Sequence, residues 1–566
     1  MSEERKKIIN ELKESVELLN KNKVNEAEKI LIRLSNYNEL QADTFSYLGV
    51  CYIKKNNSKK AAEYLERSLK VNPNHEYSNL NLGLIYFSNK DYDLSLNFIQ
   101  KTRKINKNNQ MAIYHIGLIN MALNNYLEAE KDFKELLEIN SKDQNALLNL
   151  GIIYNKIKDF DKSISIYNQI IKINPNNIYA YNNLGLTYFD NLDFDKAIKY
   201  YEKCIELNKN FLVVYGNLGR AYSEKRKFKK ALTNFKKAAE GNSKDYNNLF
   251  AIGKTYLSLG EYDKGLKYYE FRKFLNKTDN IEYIKKNFNS KEWNGEKIIN
   301  KKILILSEQG FGDNIQFSRY LHQLNKNNKV IFLVNKKLNF LFRKSSFKII
   351  NNLNEINEHD YFQNLLTLPK IYYENYKSFL TNRNFIKNDK ETDLKWNKKF
   401  EQIKKFKVGI FWQGNKNYYG DDKRSIPLIK FERIIKNVNI SIISLQKGFG
   451  VDQIEANNFE KYLINLSDEI DNDQDAYKDS ISILKNLDLL ITSDSSIAHL
   501  AGTMNINTWL ALCYNPDWRW YIENKTQIFY NTIKIFQQDA PGNWESVFDK
   551  INEELNLKLN KLINLF

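Results

Sequence analysis

Three short stretches of the chain bring acidic, basic and hydroxylated side chains together with glycine. The first is Ser307-Glu308-Gln309-Gly310-Phe311-Gly312-Asp313-Asn314. Its glycines let a ligand approach the backbone and leave N–H groups for an acceptor. Asp313 has two readings: the cap of a helix that begins here, or a general base that takes a proton from a hydroxyl nucleophile. The run matches neither the dinucleotide fingerprint nor the Gly-Lys-Ser/Thr of a P-loop, which argues against nicotinamide and ATPase chemistry. The second stretch, Gly420-Asp421-Asp422-Lys423-Arg424-Ser425-Ile426-Pro427, sets two cations side by side. Lys423 and Arg424 suit a phosphate or diphosphate and would stabilise it as it leaves; the alternative is a surface pair satisfied by Asp421 and Asp422. The third, Thr492-Ser493-Asp494-Ser495-Ser496-Ile497-Ala498-His499-Leu500-Ala501-Gly502, opens a helix with small hydroxylated residues. Its first N–H groups and the positive end of its dipole suit a diphosphate. Asp494, Ser495, Ser496 and His499 would line it, although His499 can equally satisfy a neighbouring carbonyl. Gln446 and Lys447 follow an apolar run, where they either meet a nucleoside or shape a turn. Trp412, Trp518 and Trp520 are read as packed aromatics before they are read as stacking surfaces for a sugar or base.

These residues need a scaffold, and the pattern from about residue 300 supplies one. Short apolar runs alternate with helical stretches: strands over Lys302–Leu306 and Lys329–Val334, with helices over Asn314–Leu324 and near Leu338–Lys344. A second set follows, with strands over Lys407–Trp412, Ile440–Leu445, Asp488–Thr492 and Thr508–Leu512. Its helices are expected over Leu428–Lys436, Asp475–Asn486 and Ser495–Met504. This is the order of parallel α/β sheets in two doubly wound halves, joined by a polar, lysine-rich stretch over about 375–405. Ligands of such sheets lie at the carboxyl ends of the strands, where all three stretches fall.

The first half of the chain has a different period. Gly49, Gly83, Gly117, Gly151, Gly185, Gly219 and Gly253 stand 34 residues apart. Each should mark a point where two antiparallel helices approach too closely for a side chain. Leu or Ile precedes each glycine, and tyrosine follows three residues later except at Asn120. A small residue, from Ala61 to Gly265, falls twelve residues after each. Residues 7–37, with Ala27 in phase but Ser15 in place of glycine, read as a degenerate capping repeat. A period of 34 resembles the tetratricopeptide repeat and implies an α-helical solenoid over about 1–275.

Composition narrows the class. A chain of 566 residues with 42% apolar composition can build several cores. Cys51, Cys204 and Cys513 are too far apart for a disulfide framework or a zinc site, which fits a reducing compartment. The N-terminus lacks a secretory apolar stretch and no run of about 18 apolar residues is present, so a cytoplasmic protein is expected. The net charge of +18 comes from lysines scattered through every segment. It is read as a solvated surface and not as a nucleic-acid site, compatible at most with peripheral attraction to an anionic membrane.

Four motifs in order carry a further resemblance: Glu308-Gln309-Gly310-Phe311-Gly312-Asp313, Asp422-Lys423-Arg424-Ser425-Ile426-Pro427, Asp494 to Gly502, and Pro516-Asp517-Trp518-Arg519-Trp520, with Trp293-Asn294-Gly295 ahead of them. Together they resemble bacterial tetratricopeptide proteins bearing a heptosyltransferase-like glycosyltransferase module. The resemblance implies the GT-B fold: an acceptor-side half over 301–400 after a linker at 276–300, and a donor-side half over 401–566 ending in a helix. It implies a nucleoside diphosphate sugar as co-substrate, no cofactor and no obligatory metal. Carried over by position, Asp313 is the base, Lys423 the donor-phosphate lysine, and Asp494 with Ser495 the donor-binding pair. Gln309, Gly310, Phe311, Gly312 and Asn314 form the cleft loop. Ser496 stands where heptosyltransferases usually have glycine, so ADP-heptose is not assumed. A protein or glycan acceptor, and a partner protein in the solenoid groove, are the expected partners. The alternative is a scaffold whose GT-B module only binds a nucleotide sugar or has lost catalysis.

Overall fold

A computed structural model describes residues 3–275, 279–308, 310–356, 358–380, 385–417, 420–472, 474–520 and 528–563. The chain divides into two compact units, Met1–Val214 and Tyr215–Phe566.

The first unit is made of antiparallel helix pairs, beginning with Glu3–Asn20 and Val24–Leu34 and ending with Ile178–Asp190 and Phe194–Leu207. The repeated glycine sits where one helix meets the ring or branch of the residue 16 positions later. A Cβ on Gly151 would lie 2.6 Å from Tyr167 Cζ, and one on Gly185 2.6 Å from Tyr201 Cε1. A second period was not anticipated. Asn22, Asn56, Lys90, Asn124, Lys158, Leu192, Arg226 and Gly260 all have positive φ, again 34 residues apart, and form the left-handed link between the two helices of each pair. Gly260 and the asparagines are residue types that this backbone favours, but Lys90, Lys158, Leu192 and Arg226 are not, so residue type concealed the signal. Side-chain caps then start the helices: Asn177 accepts from Ala180 N at 3.0 Å and Asp193 from Lys196 N at 3.1 Å.

The repeat continues into the second unit through Phe228–Ala239, Tyr246–Ser258 and Tyr262–Tyr269. Leu257, Leu266 and Tyr269 of these helices share one buried core with residues of both sheets that follow, such as Ile305 and Leu490. The last repeats therefore pack as part of the α/β body.

The first sheet holds β1 (Lys291–Glu292), β2 (Lys302–Leu306), β3 (Lys329–Leu333), β4 (Lys348–Ile350) and β5 (Tyr361–Asn364), in the order β1-β5-β2-β3-β4. The second holds β6 (Phe406–Phe411), β7 (Ile440–Ser444), β8 (Leu463–Asn465), β9 (Leu489–Ser493), β10 (Thr508–Leu512) and β11 (Ile533–Gln537), in the order β11-β10-β9-β6-β7-β8. All pairings are parallel. Strand order reverses between β2 and β5 in one sheet and between β6 and β9 in the other. The turns after β2, β6 and β9 thus flank the crevices in which doubly wound sheets bind ligands.

Several expectations need correction. The stretch 276–300 is no linker: it contains the Asp279–Asn287 helix, and β1 pairs with β5. The supposed connection at 375–405 contains the Lys390–Glu401 helix, whose fully buried Trp396 donates from Nε1 to Asp479 Oδ1 at 2.6 Å. Its many lysines hid one apolar face. The helix expected over 314–324 is two, Phe311–Phe317 and Arg319–Leu324, and the one expected from Asp475 begins at Lys478. The helix expected near 338–344 is only Asn339–Phe342 after a 3₁₀ turn, and that over 428–436 is a 3₁₀ turn followed by Glu432–Ile435. Short strands β4 and β8 were too brief to show a period, and β5 and β11 mix polar residues into theirs.

The glycine contacts predict graded costs. Gly185→Ala overpacks against a buried ring and is expected to cost about 1–3 kcal/mol. Gly253→Ala should cost at least as much as the top of that range, since its Cβ would lie 2.6 Å from the Tyr269 backbone N and 2.7 Å from the Tyr268 carbonyl carbon. Urea unfolding midpoints of the two variants measure the order; equal midpoints would refute it.

Candidate functional site

The turn after β2 is built around a buried staple. Arg272, 2% exposed, donates to Glu308 Oε2 at 3.0 Å and to Thr367 Oγ1 at 3.1 Å, while Leu366 N donates to the same Glu308 oxygen at 3.2 Å. Glu308 is thereby committed to structure. Gln309 lies outside the described residues. Gly310 caps the Phe311–Phe317 helix, and its N–H donates to Asp313 Oδ2 at 3.3 Å. Asp313 is therefore the third residue of the helix, closing its first turn, and not the cap itself. Asn314 steadies the same turn by donating to Gly310 O at 2.9 Å.

The other oxygen of Asp313 meets Arg519. Arg519 Nη2 donates to Asp313 Oδ1 at 2.6 Å and to Tyr269 OH at 3.3 Å; its Nη1 donates to Asp517 Oδ1 at 2.7 Å. The guanidinium lies between the Phe317 and Trp518 rings, 5.3 and 5.4 Å from their centroids. Burial pushes the Asp313 carboxyl above the usual range against the pull of Arg519, whereas Asp517 is held below it by Arg519 despite its burial. Neither Arg519 nor Asp517 was singled out from sequence as a site residue; their signal was the Asp-Trp-Arg-Trp run, in which two ionisable groups alternate with tryptophans.

The turn after β9 arrives at the same place. A Cβ on Gly312 would lie 2.8 Å from His499 Cδ2 and 3.5 Å from Ser496 Cα, so glycine lets the Phe311–Phe317 helix meet the Ser496–Thr503 helix. Ser495 caps the latter and is buried. Ser496 Oγ accepts from Tyr477 OH at 2.6 Å, and the Phe311 ring lies edge-on to Tyr477 at 6.3 Å. His499 Nδ1 is 2.9 Å from Tyr530 OH, and the ring stacks on Trp520 at 4.9 Å. Burial and the nearby guanidinium of Arg519 bring its pKa down to about 3, so the ring is neutral at physiological pH. It works as packing at the helix contact. Asp494 Oδ1 accepts from Trp520 Nε1 at 2.8 Å; burial and the Asp517 carboxylate raise its pKa to about 6.

The turn after β6 contributes cations. Asp421, 4% exposed, accepts from Arg424 Nε at 3.1 Å and from Ser425 Oγ at 2.8 Å, and Arg424 also lies against Gly414. Lys423 points elsewhere: its Nζ donates to Glu224 Oε1 at 2.6 Å, on the Leu212–Glu224 helix of the repeats. The pairing of Arg424 with Asp421 forms, but as a nearly buried and not a surface pair, while Lys423 has a partner that spacing did not suggest. The charge of Arg424 is felt at Asp494, and that of Lys423 at Cys513, just beyond β10.

Gln446 is placed within a turn. Its Oε1 accepts from Trp412 N and Gln413 N at 3.1 and 3.0 Å, and its Nε2 donates to Gln413 O and Phe449 O at 2.8 and 2.7 Å. All four hydrogen-bonding positions of the amide are occupied. Lys447 Nζ donates to Asp471 O at 2.8 Å and Asn472 Oδ1 at 2.5 Å. Trp412, Trp518 and Trp520 are 0%, 2% and 2% exposed, as packed aromatics should be.

With this geometry in place, comparison with known proteins identifies the repeats. Models described as tetratricopeptide repeat match residues 178–211, 120–184, and 212–244 with 246–270. The N-terminal repeats are tetratricopeptide repeats. A model described as anaphase-promoting complex, cyclosome, subunit 3 matches residues 54–136. A tetratricopeptide repeat protein from Parabacteroides merdae is 22% identical, covering 44% of this chain and 98% of its own, with a TM-score of 0.37. YrrB, a tetratricopeptide protein with an unusual peptide-binding site, is 17% identical over 32% of this chain and 95% of its own, with a TM-score of 0.30. The Cut9–Hcn1 hetero-tetramer of the APC/C gives 16%, 43%, 48% and 0.36 for the same quantities. No curated protein matches the chain. Among the described residues, no helix is long and apolar enough to cross a membrane.

Two outcomes follow from the charges. Removing the buried Arg519 leaves Asp313 and Asp517, 17% and 29% exposed, without their cation, so Arg519→Met is expected to cost about 1–3 kcal/mol. Adding Asp313→Asn should recover part of that in chemical denaturation, and a double variant no more stable than the single would refute the pairing. Asp494 keeps its proton in the folded state up to about pH 6, whereas an unfolded aspartate releases it near about 3.9. Its contribution is therefore full below the unfolded value and is lost as pH rises through about 6. Asp494→Asn should remove that slope and stabilise the protein at about pH 8 by roughly 1–3 kcal/mol; thermal unfolding of both proteins at about pH 5 and pH 8 reads the difference.

Proposed function

We propose that the chain is a tetratricopeptide-repeat glycosyltransferase of the heptosyltransferase-like, GT-B kind. It would transfer a sugar from a nucleoside diphosphate donor to an acceptor hydroxyl. The observation that carries this reading is the meeting of the turn after β2 with the helix start after β9, around the Asp313–Arg519 pair, at the points where strand order reverses. In the reaction, Asp313 takes the proton of the acceptor hydroxyl and the hydroxyl oxygen forms a bond to the anomeric carbon. The bond from that carbon to the diphosphate oxygen breaks, and the diphosphate leaves with the electron pair. A carboxyl raised by burial is the better base. The departing charge would be met by Lys423, Arg424 and the first N–H groups of the Ser496–Thr503 helix, beside Asp494 and Ser495, with no cofactor required.

The tetratricopeptide solenoid would recruit the acceptor or a partner protein, as concave repeat surfaces do. A second reading, a non-catalytic scaffold with a nucleotide-sugar-binding or degenerate module, draws on one observation. Asp313 and Lys423, the two groups asked to do chemistry, are each engaged in an internal ion pair.

A thermal-shift panel of UDP-, GDP-, ADP- and CMP-sugars, followed by assay of nucleotide release, separates the two. One donor class should raise Tm by several degrees, and Asp313→Ala should lower turnover by about 10²-fold or more while retaining the donor shift. Donor stabilisation without release in the presence of candidate acceptors would favour the scaffold; turnover that survives Asp313→Ala would remove the base.

A further inference from the structure

The last repeats do more than abut the second sheet; they reach its carboxyl end. Glu224 closes the Leu212–Glu224 helix, and its carboxylate accepts from Lys423 Nζ at 2.6 Å. Two residues later, in the left-handed turn that follows, the Arg226 guanidinium lies 5.6 Å from the Tyr514 ring centroid, just beyond β10. One turn of the solenoid thus touches the turns after both β6 and β10.

The two cations after β6 are held differently. Arg424 is fastened to Asp421, a nearly fully buried carboxylate of its own turn that also accepts from Ser425 Oγ. Lys423 is held by a carboxylate 199 residues away, and both side chains of that pair remain partly open to solvent, 33% and 22% exposed. An ammonium 33% exposed is within reach of solvent, and its carboxylate partner can be exchanged for another anion. An anion of higher charge, presenting several oxygens to the same ammonium, would displace a single carboxylate.

We propose that Glu224 is an internal stand-in for a diphosphate at Lys423, so that the last repeats and a nucleoside diphosphate compete for one ammonium group. The inference rests on the diphosphate reading of this site and adds its regulation. With Glu224 docked, the phosphate subsite is masked; ligand binding frees the carboxylate and loosens the end of the Leu212–Glu224 helix. By reciprocity, whatever draws that helix away from the sheet raises affinity for the diphosphate.

Titration calorimetry of the full chain with UDP, GDP, ADP, CDP and inorganic pyrophosphate tests this. Glu224→Gln should tighten binding of the preferred nucleoside diphosphate by about two- to tenfold, the range of an exchangeable ion pair with added like-charge repulsion, and Lys423→Ala should weaken it. The gain from Glu224→Gln should vanish in the Lys423→Ala background, which separates the stand-in from a general effect of removing negative charge. Hydrogen exchange near residues 220–226 should quicken on adding the nucleoside diphosphate to the wild type. Glu224→Asp, which keeps the charge but shortens its reach, should give an intermediate affinity and serves if Glu224→Gln folds poorly. Weakening by Lys423→Ala with no gain from Glu224→Gln or Glu224→Asp would overturn the stand-in and leave the transferase reading in place. Absence of binding in every variant would overturn both.

Discussion

A guanidinium surrounded by carboxylates inside a largely apolar body is costly unless each charge has a partner, and Arg519 meets that condition by drawing three distant segments together. It takes Asp313 from the turn after β2, Asp517 from the turn after β10, and the Tyr269 hydroxyl from the last repeat helix. The Phe317 and Trp518 ring centroids lie 5.3 and 5.4 Å from the guanidinium. Removing any one of the three segments would leave the buried guanidinium without one of its partners. Much of the described geometry depends on that constraint, including which way the Phe311–Phe317 helix starts.

Around this centre, close backbone approach is achieved by glycine where charge cannot help. Gly312 lets two helices meet at His499, just as Gly253 lets the Tyr262–Tyr269 helix lie against its neighbour. The second contact fixes Tyr269, and so the outer wall of the Arg519 site. The same device therefore serves repeat stacking and site construction, which is why the last repeats share a core with the sheets.

The electrostatic design separates anchored charges from exchangeable ones. Arg272 and Arg519 are buried, with partners Glu308, Asp313 and Asp517 that are 13%, 17% and 29% exposed; Lys423 and Glu224 are 33% and 22% exposed. The two buried guanidiniums shape the turns, and the more exposed Lys423 ammonium remains available to a competing ion. Asp494 is raised to about 6 by burial and the nearby Asp517 carboxylate, so below that pH the carboxylate side of the site carries less charge than its residue count suggests.

The amino-acid order alone determined the solenoid, because a 34-residue spacing of Gly49 to Gly253 reports a steric requirement that no other residue meets. It also determined the longer strands, since Ile303 to Leu306 and Leu489 to Ile491 are uninterrupted apolar runs, and it located the three turns at strand ends. Tertiary structure decided the rest. Asp313 is paired with a residue 206 positions away and Lys423 with one 199 away. Such partners are chosen by which turns the packed sheets and helices bring within reach, and no local spacing encodes that. The helix holding Trp396 and the edge strand β1 escaped detection for a related reason. Their burial is supplied by neighbours far along the chain, so the segments themselves needed little apolar pattern.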